Sequence, residues 1–335
     1  MSDLLPVPVD RPLVDSFGRV HTDLRISVTD RCNFRCTYCM PEEGMEWLPR
    51  EELLSFEELE RLARLLVERH GIRSIRLTGG EPTVRAHLPV LVAKLAALPV
   101  DLSLTTNGAT LQSVAPGLAD AGLRRVNVSL DTLQPERFVE LTRRDQLDDV
   151  LLGIDAALDA GLAPVKVNVV VVRGVNDDEV VELARFGRDR GVTVRFIEWM
   201  PLDGGDSWSD DQVVTQAEIV EQLNDVFPLE PMTRGTSPAE RFRYLDGRGE
   251  VGVIPSVTRP FCEQCDRIRL TADGQLRSCL FSLDDHDLRG PLRSGASDPE
   301  LSDAIDACVQ AKWAGHAIGQ VQFVKPRRSM SQIGG

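Results

Sequence analysis

Two patterns alternate regularly between Leu24 and Glu198: short runs rich in β-branched residues, and longer segments whose apolar residues recur at helical spacing. Strands joined by helical crossovers pair in parallel, so this alternation predicts an α/β fold, a parallel sheet covered by helices. The predicted strands are Leu24–Val28, Ile75–Thr78, Leu102–Thr105, Arg125–Leu130, Val165–Val172 and Val192–Glu198.

The number of strand–helix units narrows the architecture. Six units are fewer than the eight of a closed TIM barrel, so we predict a curved, partly open (βα)6 TIM-type barrel. In barrels of this kind the chemistry gathers at the carboxyl ends of the strands, and we expect the functional site there. The helices predicted between the strands are Phe56–His70, Leu88–Leu98, Leu111–Ala121, Val150–Ala160 and Glu179–Arg190.

The alternation stops near residue 230. The short runs that follow, Arg241–Leu245, Val251–Ile254 and Arg267–Leu270, are separated by Gly and Pro, which is typical of a small antiparallel unit. Because 335 residues are many for one domain, we predict a partial-barrel domain at residues 1–230 and a small α+β domain at residues 231–335. Other predicted elements are helices at Thr215–Phe227 and Pro299–Ala314, a loop at Pro201–Asp211 and a tail at Pro326–Gly335.

The charge balance excludes some partners. Lys and Arg number 38 against 52 Asp and Glu, which gives a net charge of −14. Nucleic acids and membrane surfaces favour positively charged proteins, so neither is an expected partner. The chain shows no apolar stretch of membrane-spanning length and no signal-peptide pattern at its N-terminus. We therefore expect a cytoplasmic protein whose cysteines are metal ligands or buried thiols rather than disulfides.

Three cysteines, Cys32, Cys36 and Cys39, lie at C-x3-C-x2-C spacing directly after the first predicted strand. Thiolates on one short loop can hold three corners of a [4Fe–4S] cluster, which normally takes four cysteine ligands. The remaining iron can then bind another molecule, which turns an electron carrier into a reaction centre. The position of the loop after a strand also places it at the edge where chemistry is expected.

Two simpler interpretations of this triplet stay open. A zinc site would need a fourth ligand nearby, and the nearest downstream histidine, His70, lies beyond a whole predicted helix. Structural thiols lie on apolar faces, whereas this triplet is set among Asp30, Asn33 and Arg35. Cys308, in contrast, follows the apolar spacing of a predicted helix, so we expect it to be a core residue without a functional role.

A second triplet lies far along the chain. Cys262 and Cys265 form a C-x2-C pair, and Cys279 follows the turn signal Asp273-Gly274. A hairpin at this turn would return Cys279 to the pair, so that three thiolates converge. A second cluster with an open iron fits this pattern, and so does a zinc ribbon with His286 as its fourth ligand.

Arg267 and Arg269 follow the second triplet within a few residues. Residues two apart on a strand point to the same side, so both guanidinium groups are expected beside the proposed metal ligands. Paired guanidinium groups suit bidentate recognition of phosphate. Two solvated surface charges are the alternative, but the adjacent metal ligands favour phosphate binding.

The aromatic residue directly before the third cysteine, Tyr38, gives the first triplet the pattern of radical S-adenosylmethionine (SAM) enzymes. With both triplets considered, nearly the whole chain resembles the GTP 3′,8-cyclase family of molybdenum cofactor biosynthesis. The similar segments are Leu24–Cys32, Arg76–Pro82, Leu104–Gly108, Asn127–Asp131, Val165–Val170, Arg195–Met200 and Gly334–Gly335.

The resemblance implies two [4Fe–4S] clusters, with SAM bound at the open iron of the first cluster and cleaved to a 5′-deoxyadenosyl radical. It further implies that this radical abstracts the 3′ hydrogen of GTP and that C3′ then bonds to C8. The implied product is (8S)-3′,8-cyclo-7,8-dihydroguanosine 5′-triphosphate, and the implied role is the first committed step of molybdenum cofactor biosynthesis.

The resemblance also assigns roles to residues. The implied SAM contacts are Tyr38, Gly80, Ser129 and Met200. The implied GTP contacts are Arg25, Arg76, Thr105, Lys166, Arg267, Ile268 and Arg269. The residues implied in catalysis are Gly334 and Gly335, on a tail that enters the active site, together with Arg25, Arg267 and Arg269.

Partners follow from the resemblance as well. It implies a reductant protein of the flavodoxin or ferredoxin type, a homodimer, and a downstream cyclic pyranopterin monophosphate synthase that takes the product onward. A peptide-modifying radical SAM enzyme with an auxiliary cluster is one alternative, but such enzymes usually carry more C-terminal cysteines and lack the Arg267/Arg269 pair. A non-catalytic iron–sulfur or zinc protein is another, although it would not need two incomplete ligand sets.

Overall fold

The computed structural model describes residues 9–41, 45–202, 208–234, 237–318 and 323–334. The strands are β1 (Asp23–Ser27), β2 (Ser74–Thr78), β3 (Asp101–Thr106), β4 (Arg125–Ser129), β5 (Val165–Val171), β6 (Thr193–Glu198), β7 (Leu229–Met232), β8 (Glu240–Tyr244), β9 (Glu250–Ile254), β10 (Arg267–Leu270), β11 (Gln275–Arg277) and β12 (His286–Asp287). The α-helices are α1 (Phe56–Glu68), α2 (Leu88–Ala96), α3 (Leu111–Asp120), α4 (Pro135–Thr142), α5 (Leu147–Asp159), α6 (Val180–Arg190), α7 (Gln216–Val226), α8 (Arg289–Arg293), α9 (Asp298–Gln310) and α10 (Met330–Ile333).

The six predicted parallel strands and the helices predicted between them are confirmed, with β1 to β6 adjacent in chain order. Helix α1 illustrates that residues close in sequence determine where these elements begin. The Ser55 hydroxyl accepts from the Glu58 amide, while the Glu58 carboxylate accepts from the Ser55 amide, which forms a capping box. Helix α4 was not predicted, because its eight residues carry a short apolar pattern that begins at Pro135.

The strands after residue 228 extend both edges of this sheet. Strand β10 pairs in parallel with β1, and β9 pairs in parallel with β6, so eight parallel strands lie side by side. Antiparallel partners complete the sheet at the two edges, in the order β12-β11-β10-β1-β2-β3-β4-β5-β6-β9-β8-β7. Antiparallel pairing was predicted for these runs and is seen between β8 and β9 and between β10 and β11. The prediction of a single antiparallel unit was wrong, because β9 and β10 pair in parallel with β6 and β1 at opposite edges of the sheet. The domain boundary after residue 230 stays a prediction.

The two faces of the parallel strands differ in character. Leu24 and Ile26 of β1 belong to the hydrophobic core that the sheet shares with the helices. Arg25 lies between them on the other face and pairs in register with Arg76 on β2 and Arg269 on β10. The inner face of the barrel is therefore polar and available for a ligand instead of being a packed core. In the part of the chain that the structure describes, no helix has the length and apolar character needed to cross a membrane.

Candidate active site

One cavity of about 290 Å³ lies against the polar inner face, and both cysteine triplets line it. All four residues predicted to contact SAM also line this cavity, as do five of the seven predicted to contact GTP. The two that do not are Lys166 and Ile268. Side chains that lie far apart in the sequence are thus brought to a single site at the carboxyl edge of the sheet.

The first triplet lies on the loop after β1, as predicted, and the next strand end holds this loop in place. The Gly80 amide donates to Thr29 O (2.8 Å), and the Glu81 amide donates to Arg31 O (2.8 Å). A Cβ atom at Gly80 would lie 2.4 Å from both Asp30 O and Arg31 O. Close packing of the cysteine loop therefore requires glycine at this position, whether or not SAM also contacts it.

Burial has the largest effect on the thiol pKa values of the first triplet. It raises the pKa of Cys32 to about 11 and of Cys39 to about 12, and it raises the pKa of Cys36 well above its usual range, with neighbouring cysteines adding to the last two shifts. Such thiols stay protonated unless a metal ion replaces the proton. The site is therefore suited to bound iron rather than to free thiolates.

The second triplet is brought together by the predicted hairpin. Strands β10 and β11 pair antiparallel with Arg269 opposite Arg277, which returns Cys279 towards Cys265. Lys312 Nζ lies 3.6 Å from Cys265 Sγ and donates to Arg267 O at 2.7 Å. Burial alone would raise the pKa of Cys265, but Arg267 and Lys312 outweigh it, and the pKa is lowered.

Six basic side chains lie within electrostatic range of one another on the inner face of the barrel. Burial, and then the neighbouring arginines, lower the pKa of Arg25 and Arg195 and bring that of Lys166 to about 8. Among the described residues, none of the six forms an ion pair within 4.0 Å, although Asp23 lies within electrostatic range of Arg25, Arg76 and Arg269. Nε of Arg25 and of Arg195 lacks a hydrogen-bond partner. We call this group the basic cluster; its members are Arg25, Arg76, Lys166, Arg195, Arg267 and Arg269.

A buried cluster of like charges without direct ion pairs is unfavourable in the free protein. A polyanion such as a triphosphate removes the repulsion and pairs the unpartnered donors. Arg195, which the sequence-based site assignment omitted, is part of this arrangement and donates to Asn127 Oδ1 at 2.6 Å. It lies within the Arg195–Met200 segment, so the family resemblance itself offered a signal for it.

Two predicted GTP contacts lie outside the cavity lining. The Ile268 side chain is fully buried in the hydrophobic core on the opposite face of β10, so contact through that side chain does not follow from this arrangement. Lys166 lies on the same face of β5 as Asn168 and Val170, which do line the cavity. It is therefore close to the site through its strand position.

The C-terminal tail reaches this site. Gly334 is buried, and its carbonyl oxygen accepts from Arg269 Nη1 at 2.5 Å. A Cβ atom at Gly334 would lie 2.5 Å from Thr78 Oγ1, and its φ of +80° favours glycine. Gly334 thus lies beside Arg269, and its role in catalysis stays a prediction; Gly335 and the centre of the Pro201–Asp211 loop lie outside the described residues.

Comparison with known proteins identifies the family. A model of the Radical SAM superfamily matches residues 26–187, and a model described as Molybdenum Cofactor Synthesis C matches residues 192–318. The GTP 3′,8-cyclase of Mycolicibacterium smegmatis is 52% identical over 338 residues, which cover 98% of this chain and 94% of that protein. The GTP 3′,8-cyclase of Streptomyces coelicolor is 50% identical, with 96% of each chain covered. This chain belongs to the GTP 3′,8-cyclase family.

The fold comparison agrees with this family. SuiB of Streptococcus suis, in its structure bound to S-adenosylmethionine, superposes with a TM-score of 0.58 at 15% identity, covering 86% of this chain and 69% of that one. That likeness shows a shared fold. Members of the radical SAM superfamily carry a [4Fe–4S] cluster and SAM. The question is then whether the residues of the first triplet suit the cluster.

The first triplet fits the cluster of the GTP 3′,8-cyclase family. Within the described parts of the chain, no group of three or more His, Cys, Asp or Glu side chains is arranged around a single metal ion. The thiolates of a cubane cluster each bind a different iron and so stand apart, whereas zinc ligands converge on one point. His70 is also occupied elsewhere, because its ring nitrogens contact Arg11 O and Ser302 Oγ. The zinc alternative therefore lacks the fourth ligand that His70 could have offered.

Two acidic residues on the cavity wall were missed by the sequence-based site assignment. Asp131 accepts from the Tyr38 hydroxyl at 2.5 Å and from the Val170 amide at 2.8 Å, and burial raises its pKa to about 6. Glu81 accepts from Thr106 Oγ1 (2.7 Å) and from the Asn107 amide (2.6 Å). Both lie in segments that resemble the family, but their role in holding the surrounding loops depends on contacts between different strand ends.

Proposed function

We propose that this protein cyclises GTP to (8S)-3′,8-cyclo-7,8-dihydroguanosine 5′-triphosphate, by removal of the 3′ hydrogen and formation of the C3′–C8 bond. The observation that supports this most strongly is the basic cluster, which forms no direct ion pair among the described residues and, apart from Lys166, lines the same cavity as both cysteine triplets. Its charge and its unpartnered donors suit a nucleoside triphosphate.

The residues of the first triplet hold the reactive end of the site. When bound there, the [4Fe–4S] cluster and SAM supply the 5′-deoxyadenosyl radical that removes the hydrogen. Tyr38 is held by Asp131 beside Cys36 and Cys39, so its ring is fixed where an adenine can contact it. Ser129 and Met200 line the same wall and complete the predicted SAM contacts.

The basic cluster positions the substrate. Arg25, Arg267 and Arg269 come from two paired strands, β1 and β10, and present their guanidinium groups to one volume. Fixing the triphosphate at these side chains limits the positions that the ribose can adopt, and this orientation lowers the barrier to a reaction between fixed atoms. Burial strengthens these contacts, because the cluster is shielded from water.

The second triplet would hold an auxiliary [4Fe–4S] cluster. Cys262, Cys265 and Cys279 would supply the three thiolates, and the cluster would offer Lewis-acid chemistry to the guanine base. The cationic surroundings of Cys265 suit both a thiolate ligand and an anionic substrate. His286 lies on β12 opposite Leu276 and does not line the cavity, which disfavours the zinc-ribbon alternative.

Partners follow from this chemistry. Reductive cleavage of SAM requires a one-electron donor, for which a flavodoxin or ferredoxin is the natural class. The cyclised triphosphate would pass to a cyclic pyranopterin monophosphate synthase, and the family suggests a homodimer in the cytoplasm. These assignments belong to the proposal.

The proposed function is tested by anaerobic reconstitution with iron and sulfide, followed by incubation with SAM, dithionite and each of the four ribonucleoside triphosphates in turn. We expect 5′-deoxyadenosine and a cyclised product with GTP, and no cyclised product with ATP, CTP or UTP. A Cys36→Ala variant provides the matched inactive control. Equal product from several nucleotides, or cleavage of SAM that leaves GTP unchanged, would contradict the proposal.

A further inference from the structure

In the C-terminal tail, residues 323–334 of the described chain, Ser329 and Ser331 contact Met45, and two other attachment points involve arginines. At its end, Gly334 O accepts from Arg269. Six residues earlier, Arg328 contacts two carboxylates: Nη2 lies 2.9 Å from Asp273 Oδ2, and Nε lies 2.6 Å from Asp285 Oδ2. The proposed function places Arg269 at the substrate and gives no role to Arg328.

Both carboxylates are firmly placed. Asp273 Oδ1 accepts from the Thr271 hydroxyl at 2.5 Å, and Asp285 also pairs with Arg277, whose side chain is only 2% exposed. Asp273 lies in the turn between β10 and β11, and Asp285 lies just before β12. The Arg328 ion pairs therefore join the tail to the same hairpin that carries Arg269.

Arg328 itself is well shielded, since 22% of its side chain is exposed. Burial alone would lower its pKa, but Asp273 and Asp285 outweigh burial and raise it. Partly buried, multidentate pairs of this kind contribute more than an exposed ion pair. Loss of the guanidinium would also leave Asp273 without its cationic partner in a buried position.

The chain between the two attachment points is short and regular. Ser329 caps α10 through a capping box with Gln332, and the amides of Ile333 and Gly334 donate to Ser329 O and Met330 O at 3.1 Å. Met330 lines the cavity, and Ile333 is 1% exposed. Because the hydrogen bonds of this helical turn make the segment rigid, the position of Arg328 determines the position of the Gly334 carbonyl oxygen.

We propose that Arg328 is a positioning residue that seats the tail, so that the Gly334 carbonyl orients the Arg269 guanidinium in the active site. Asp273 and Asp285 are its anchors. The catalytic consequence rests on the proposed GTP cyclisation, whereas the seating itself does not. The seating can therefore be measured without any activity assay.

The experiment compares reconstituted wild type with Arg328→Met, which keeps length and removes the donors, and with Arg328→Lys, which keeps a cation. Arg293→Met is the matched control. Nε and Nη2 of Arg293 also contact a carboxylate, since they donate to Glu58 at 2.7 and 3.0 Å, and this pair lies away from the tail. Anaerobic hydrogen–deuterium exchange reports on the amides of residues 331–334. Iron content and GTP affinity confirm that each variant is assembled.

In Arg328→Met we expect exchange in α10 to be at least about tenfold faster, with iron content and GTP affinity close to wild type. The kcat for cyclised product should fall at least about tenfold while KM for GTP changes little, and Arg328→Lys should recover part of both losses. Arg293→Met should match wild type in exchange and in kcat.

Unchanged exchange in Arg328→Met would overturn the seating role. Faster exchange with an unchanged kcat would overturn the positioning role. If wild type forms no cyclised GTP, the proposed function fails, but the exchange measurement still decides whether Arg328 seats the tail. If Arg328→Met fails to fold, Arg328→Gln replaces it, and wild-type exchange in that variant would likewise overturn the proposal.

Discussion

The two cysteine triplets line one cavity but differ in their electrostatic surroundings. The first lies near the carboxyl groups of Glu81 and Asp131, and its three thiol pKa values are all raised, chiefly by burial. In the second, Arg267 and Lys312 lower the pKa of Cys265. SAM carries a sulfonium cation and needs no cationic surroundings, whereas a triphosphate needs cations. The difference is located at Cys265, because burial raises the pKa of Cys262 as it does in the first triplet.

The sharpest test of the difference between the triplets replaces one cysteine of each triplet with alanine. We expect Cys36→Ala to abolish 5′-deoxyadenosine formation, because the first cluster loses a ligand, while GTP binding stays within about twofold of wild type. Cys265→Ala should weaken GTP binding and leave SAM cleavage measurable. Anaerobic equilibrium binding and product analysis check both. Equal loss of GTP affinity in the two variants would contradict a division of labour between the triplets.

The tail offers the next largest effect. Deletion of Gly334 and Gly335 should remove most cyclised product but leave iron content and GTP affinity near wild type, because Arg269 then loses the carbonyl that orients it. Gly334→Val should act similarly, since its side chain would collide with the Thr78 hydroxyl. Product is quantified by anaerobic single-turnover assays. A deletion variant with full activity would show that the tail end is dispensable.

A smaller effect is expected at the basic cluster. Arg269→Ala, and likewise Arg267→Ala, should weaken GTP binding by about 10- to 100-fold, the loss of one charge-assisted hydrogen bond of about 1.5–3 kcal/mol. Both clusters should still assemble, as iron counting will report. Arg190→Ala is the control, because Arg190 pairs with the exposed Asp155 on the outer surface. If Arg269→Ala binds GTP as tightly as Arg190→Ala, the basic cluster does not hold the triphosphate.

The smallest predicted effect is a pH dependence at Lys166. In the free protein its pKa is about 8, because burial lowers it most and Arg195, Arg125 and Arg76 lower it further, while Glu250 opposes them. This pKa should rise when a triphosphate binds. Binding should therefore take up about 0.1 proton at pH 7 and about 0.9 at pH 9, and affinity should fall above pH 8.

Titration calorimetry in two buffers of different ionisation enthalpy measures this uptake. Lys166→Arg keeps its charge at both values of pH, so the proton uptake at pH 9 should be much smaller in that variant than in wild type. The same uptake in Lys166→Arg as in wild type would assign the proton to another group.

Predictability from the sequence varied between regions. The strand positions and the loop of Cys32, Cys36 and Cys39 follow from patterns within a few residues, so β1 to β6 and the first triplet were predicted close to their observed bounds. Asp131 and Arg195 lie in segments that were recognised, yet their roles were not. Each acts through a partner on another segment, Tyr38 for Asp131 and Asn127 for Arg195.

The sequence by itself determined the strand–helix alternation, the two cysteine triplets and the paired arginines after the second triplet, because each is encoded by local spacing. Only the tertiary structure decided that these features share one cavity. Parallel pairing places Arg269 of β10 beside Arg25 of β1, and Arg19 contacts the carbonyl oxygen of Cys262 across 243 residues of chain. Side-chain periodicity specifies which face of a strand is buried, but not which strand lies next to it.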